Sequence, residues 1–239
     1  MNNVTKQIGG LLAVNGVSLT VGRDEIVGLV GPNGAGKTTL LNIISGITSP
    51  TAGTVAFCGE DITGFKANRI CKKGIAKTFQ IAESFPHLSA LECVMVGALF
   101  GNNHMPSMEE GKKQATAVLD FVGFPKEKIG TLNRNLNVVE LKRVQLARAL
   151  ASNPKLLLLD ELTTGLNPKE SSEAVNLIKK IRSNGTSILI IEHVMSVIMG
   201  VSDRIVVLDH GEKIAEGRPE EVVNNQQVID TYLGDLDVF

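Results

Sequence analysis

The sequence predicts an α/β fold in which a largely parallel sheet is covered by helices on both faces. Three observations carry this. The runs "KLLLLDE" (155–161), "SILIIE" (187–192) and "RIVVLD" (204–209) are uninterrupted Leu/Ile/Val stretches, the pattern of strands buried on both faces. Helix-like segments alternate with them, as parallel pairing requires. Between 84 and 152 the pattern turns mostly helical, interrupted by the polar loop "GNNHMPS" (101–107), and reads as an inserted helical subdomain.

In chain order, "VSLTVGRDEIVGLV" (17–30) alternates and then runs apolar around Gly22-Arg23-Asp24-Glu25, which reads as a hairpin whose second strand enters a glycine loop. "TLLNIISGI" (39–47) reads as a helix ended by Gly46, and "GTVAFCGEDIT" (53–63) as a strand and turn. "GIAKTFQ" (74–80) is a short buried strand. In "NLNVVELKRVQLARAL" (135–150), Leu141, Val144 and Leu150 share one face of a helix, with Lys142, Arg143 and Arg148 on the polar side. Its first turn carries two β-branched residues, an awkward start. A helix at 168–183 opens on Pro168, suited to the first helical position. "HGEKIAEG" (210–217) reads as a hairpin turn, and "PEEVV" (219–223) starts a last helix.

With 239 residues and 43% hydrophobic side chains, the chain can bury one large domain or a core with an inserted subdomain. A net charge of -1 gives no reason to expect nucleic acid or an anionic membrane as partner. With no Trp and one Tyr, the composition gives no reason to expect an aromatic platform for bases. Cys58, Cys71 and Cys93 lack metal or redox spacing and read as reduced thiols. The opening "MNNVTKQIGG" has no apolar run, so no secretory leader is expected. No segment offers the roughly 18–20 uncharged apolar residues that span a bilayer. A membrane role must therefore run through a partner.

The chemistry-bearing text begins with "GPNGAGKT" (31–38), which fits G-x-x-x-x-G-K-[ST] between a strand and a helix. Gly31, Gly34 and Gly36 permit unusual backbone angles and close approach of phosphate oxygens. Together with Pro32, Asn33, Ala35 and the following Thr39 they form a candidate ATP-binding loop, aided by the positive end of the next helix. Lys37 supplies a cation for the β- and γ-phosphates, and the Thr38 hydroxyl can ligate Mg²⁺. "LLLLDE" ends in two carboxylates at the strand edge where ligands of α/β sheets sit. Asp160 can hold Mg²⁺ through water, and Glu161 can orient or deprotonate the attacking water. His193 ends the run "LIIEH" and reaches for a γ-phosphate. Gln80 ends its own strand, where an amide can meet both Mg²⁺ and water; taken singly, either residue could be merely structural. His87, His104 and His210 fall in loops and read as surface residues.

With residues 31–38, Gln80, Asp160-Glu161 and His193 in this order, nearly the whole chain resembles an ABC-transporter ATPase subunit. "KTFQIAESFPHLSALECVMVGAL", "GLNP", "LIIEHVMSVIMGVSDRIVVLDHGEKIAEG" and "VIDTYLGD" are similar to the ATPases of bacterial branched-chain amino-acid importers, and more to the longer of their two paralogues. Relatives also serve urea, amide and aromatic-acid importers. The resemblance implies a phosphate-loop ATPase core (1–83 and 153–239) with an antiparallel β subdomain, and a helical subdomain at 84–152. It implies two ATPases closing head-to-tail around two ATP molecules. Two membrane permease subunits and an extracytoplasmic substrate-binding protein would complete the system, at the cytoplasmic face of a bacterial or archaeal membrane.

Three departures from the family pattern stand out. The signature Leu-Ser-Gly-Gly-Gln becomes Leu136-Asn137-Val138-Val139-Glu140. Asn137 can cap the helix, Val138 and Val139 put branched side chains where a phosphate should meet backbone, and Glu140 adds negative charge near an anion. The expectation is a face that binds the partner's ATP poorly. Near the N-terminus, Ile8 stands where the family stacks adenine on an aromatic ring, and Leu162 replaces the usual proline after Glu161. An asymmetric heterodimer with a paralogous ATPase follows, one site intact and one weak. The alternative is an ATP-binding regulatory module with little or no turnover, against which the retained Glu161 and His193 argue.

Overall fold

The computed structural model describes residues 1–78, 85–101 and 106–233. Strands β1 (Asn2–Ile8) and β2 (Leu11–Val17) reverse at Gly9-Gly10 and pair antiparallel, with Val4 opposite Val17 and Ile8 opposite Leu11. β3 (Ile26–Val30) is buried throughout and runs into the glycine loop. α1 (Lys37–Ile44) follows and closes on Gly46: the Gly46 N–H reaches Ile43 O and the Ile47 N–H reaches Asn42 O, which satisfies the last carbonyls. β4 (Ala52–Thr54) pairs antiparallel with the other edge of β1, giving the order β2-β1-β4. β5 (Ala56–Phe57) and β6 (Glu60–Asp61) form a hairpin that turns at Cys58-Gly59.

α2 (Ala67–Lys73), β7 (Ile75–Lys77), α3 (Ala90–Phe100), α4 (Met108–Phe121), α5 (Val138–Leu150) and β8 (Leu156–Asp160) come next. α6 (Pro168–Ser183), β9 (Ser187–Ile191), α7 (Met195–Val201), β10 (Arg204–Asp209), β11 (Glu212–Gly217), α8 (Pro219–Val223) and α9 (Gln226–Leu233) complete the chain. α6 starts where its sequence dictates: Pro168 is the first helical residue, and Asn167 and Glu170 exchange the two bonds of a capping box.

The chain forms two compact units, residues 1–67 with those from 163 on, and residues 68–162. In the first, the strand order is β11-β10-β3-β9, with β3 parallel to both neighbours and β11 antiparallel to β10. α6 packs on α7, α7 on α8, and α9 on β11. Ile26, Leu29, Leu40, Leu41 and Ile178 are fully buried there. In the second unit β7 and β8 pair in parallel, α3, α4 and α5 pack on one another, and α5 reaches β7. Leu119, Leu146, Leu157 and Leu158 form the buried centre of this unit.

The hairpin read at 17–30 is corrected. β2 pairs with β1, whereas β3 lies between β9 and β10. The turn between them belongs to the sheet edge. The Ile26 N–H donates to Asp203 Oδ2 at 2.8 Å, and Glu25 pairs with the Arg204 guanidinium, which also donates to Thr20 O. Near-continuous apolar strands such as β3 and β9 pair in parallel with helices on both faces, and a parallel neighbour has to come from a distant part of the chain. The end of the chain also differs, because the single last helix is two helices, α8 and α9, broken at 224–225. On α5, Leu141 and Leu150 are only half-buried, and the buried arc is Val144 to Ala147, because three elements pack around the helix. No helix among the described residues is long and apolar enough to cross a membrane. Cys58 is exposed, Cys71 half-buried and Cys93 buried, all free.

Candidate active site

The first unit carries the glycine loop between β3 and α1. Gly31 (φ 148°) and Gly36 (φ 96°) take conformations that L side chains rarely adopt. Space forbids a side chain as well: a Cβ would fall 2.0 Å from Leu208 O at Gly31 and 2.4 Å from Ala13 O at Gly36. At Gly34 nothing lies within 4 Å of that position, so the loop is open there. The Lys37 ammonium is held inside the loop, donating to Gly31 O at 2.6 Å and Pro32 O at 2.8 Å, and its residue is buried. Thr38 is exposed and Thr39 half-buried in the first turn of α1. N–H groups at the start of a helix, a buried cation and an open glycine cradle are the donor set for a polyphosphate. A cavity of about 390 Å³ borders Pro32 to Ala35 and is lined also by Asp209, His210, Asp230 and Thr231.

At the end of β9 the buried carboxylate of Glu192 takes two bonds from Thr163, one from its N–H at 2.7 Å and one from its hydroxyl at 2.6 Å. His193, next in the chain, is exposed. Ile8 lies in β1 and is 55% exposed.

In the second unit, Asp160 is the last residue of β8 and is buried. Its carboxylate sits 3.5 Å from the buried Lys77 ammonium of β7, and its N–H donates to Thr78 Oγ1 at 3.2 Å. Burial pushes the Lys77 pKa down, against the opposing pull of Asp160. Glu161 follows with φ 52°, a left-handed backbone in a non-glycine residue. The Lys142 ammonium of α5 donates to Glu161 O at 3.2 Å and Leu162 O at 2.9 Å. Gln80 lies outside the described residues, as does His104; His87 and His210 are exposed.

The turn 136–140 corrects two expectations. Its start is tidy: Asn137 Oδ1 accepts from the Glu140 N–H at 2.9 Å, and the Asn137 N–H returns a bond to Glu140 Oε2 at 3.1 Å. Glu140 does not present an exposed charge either. It is buried, and its carboxylate meets Lys128 Nζ at 2.6 Å. Burial pushes the Glu140 pKa up, but the Lys128 bond, the Asn137 N–H and the charges of Lys128 and Arg143 outweigh it, so the net shift is downward. Val138 is exposed and Val139 half-exposed. Sequence reasoning missed Lys77, Lys128, Lys142, Thr163 and Glu192. For Lys77 and Glu192 a signal existed, since a charge inside or ending an apolar strand needs a partner.

Comparison with known families decides the identity. The ABC transporter family model matches residues 14–164. The chain belongs to the ABC transporter ATP-binding family. The cassette also matches, over residues 212–237, the model described as branched-chain amino acid ATP-binding cassette transporter. It is 39% identical to the high-affinity branched-chain amino acid transport ATP-binding protein LivG of Salmonella typhimurium, covering 98% of this chain and 97% of that protein. A nucleotide-free ATP-binding cassette from an ABC transporter superposes with a TM-score of 0.89 at 28% identity, covering 97% and 96% of the two chains. A dimeric cassette in a post-hydrolysis state bound to ADP and Pi superposes with a TM-score of 0.84 at 30% identity, covering 91% and 97%.

Proposed function

We propose that the cassette hydrolyses ATP to drive uptake of branched-chain or related amino acids, as one ATPase subunit of an importer with two permease subunits and an extracytoplasmic binding protein. The observation that carries this reading is the full-length 39% identity to LivG. In this reading residues 31–39 bind the ATP phosphates, with Lys37 on the β- and γ-groups, and Ile8 contacts the adenine. Thr38, Asp160 and Gln80 hold Mg²⁺, Glu161 activates water, and His193 reaches the γ-phosphate. The chemistry of the donor set fits that ion: a hydroxyl, a carboxylate and an amide are oxygen donors, and Mg²⁺ is commonly held by one or two carboxylates together with substrate phosphates. When bound, it neutralises charge on the β- and γ-oxygens.

The partner is a paralogous ATPase. Val138 and Val139 take the place of the glycines that would meet a partner's phosphate, so the pair is asymmetric, with one strong and one weak site. Glu140 no longer counts against phosphate binding at that face, because Lys128 neutralises it; bulk at 138–139 is the remaining obstacle. The test is steady-state ATPase of the full chain alone and mixed with its paralogue, with Glu161→Gln in parallel. The expected result is higher turnover in the mixture, and loss of turnover with retained ATP binding in the variant. Equal rates alone and mixed would refute the asymmetry. No turnover in either, with ATP bound, would favour a regulatory module.

A further inference from the structure

Lys142 links two parts of the second unit that the sequence places 19 residues apart. It lies on the second turn of α5, and its ammonium bridges the carbonyls of Glu161 and Leu162. Glu161 holds a left-handed backbone, which a β-carbon disfavours and which persists only where the surroundings fix it. Leu162, buried beside it, is free of the ring that would fix its own φ. A cation on two successive carbonyls helps to fix this turn, and the backbone there sets the direction in which the Glu161 side chain leaves the chain. Arg143, the neighbouring cation, is directed elsewhere and donates to Gly123 O.

We propose that Lys142 is a positioning residue for hydrolysis. It fixes the Glu161 turn and thereby joins the hydrolytic carboxylate rigidly to the helix whose first turn is 137–140. The inference rests on the reading of Glu161 as the group that activates water. It adds a route within one chain: an anion or a partner pressing on the start of α5 moves the helix that holds Glu161 in place, so events at one ATP site bear on turnover at the other.

The test uses the full-length chain mixed with its paralogous ATPase, comparing Lys142→Met, Lys142→Arg and Glu161→Gln. Lys142→Met keeps length and loses the donors. It should lower kcat about 10–100-fold, the usual consequence of misplacing a catalytic group by about 1 Å, with KM and the Kd for ATP changed less than about twofold. Lys142→Arg, which restores donors, should recover kcat to within about threefold of the parent. An unchanged kcat in Lys142→Met overturns the proposal. So does a parallel rise in KM and Kd, or an Arg variant as slow as the Met variant. If Lys142→Met does not fold, Lys142→Leu, which also lacks donors, is held to the same outcomes. Full turnover in Glu161→Gln overturns the reading of Glu161 and the inference together. Loss of turnover there beside a normal Lys142→Met overturns the inference alone.

Discussion

Thr163→Val isolates the hydroxyl that Glu192 accepts. Valine keeps the β-branch and nearly the volume of threonine, so packing is preserved and one O–H donor is lost. Both residues are buried, and the lost bond is 2.6 Å long to a carboxylate. A hydrogen bond to a charged group is worth about 1.5–3 kcal/mol, and solvent cannot replace the donor at this depth. The Thr163 N–H bond at 2.7 Å persists, which places the expected loss near the middle of that range. For a chain of this size about 2 kcal/mol lowers Tm by about 4–8 °C. Thermal unfolding followed by far-UV circular dichroism, with urea midpoints at constant m-value as a check, measures it. Thr163→Ser keeps the donor and should lose less than half as much. A Thr163→Val variant as stable as the parent, or a serine variant as unstable as the valine one, would show that the Glu192 contact is not what holds residue 163.

Two other outcomes follow from the same geometry. Glu140→Gln can still accept the Asn137 N–H but loses the ion pair with Lys128. The folded pKa of Glu140 lies below its ordinary value, so the charge contributes stability above the unfolded pKa, and that contribution is lost as pH falls through the folded value. The parent should therefore exceed the variant in urea midpoint at about pH 7, with the gap narrowing as the pH falls below the ordinary glutamate value of about 4.3. Gly36→Ala puts a Cβ 2.4 Å from Ala13 O at a φ of 96°. It should weaken binding of a fluorescent ATP analogue about tenfold or more, equivalent to about 1.4 kcal/mol; undiminished affinity would show that the loop relaxes without loss.

What the sequence disclosed, and what it hid, divides along physical lines. β8, β9 and β10 were legible because each carries four consecutive apolar residues, which leave little choice but burial on both faces. α6 was legible to the residue because Asn167-Pro168 and Glu170 encode its start locally. The partner of β3 was not legible, since a turn such as 22–25 looks the same whether its strands pair together or diverge into two sheets. At 137–140 the Asn137 cap was legible, whereas the return bond to Glu140, an Asn-x-x-Glu pattern, was not read because Glu140 also stands in the signature position. The contacts of Lys142 and Glu192 depend on a chain reversal spanning 19 residues and on a strand crossover, so no local pattern carries them.

The three thiols have a practical consequence. Cys58 occupies an exposed hairpin turn, Cys93 is sealed among the helices, and burial pushes the Cys71 thiol up, away from the reactive thiolate. The native chain is therefore suited to attaching one probe at neutral pH without removing any cysteine. A dye or spin label at Cys58 would report, by distance to a second label on the paralogue, how far the two ATPases travel as ATP is added and consumed.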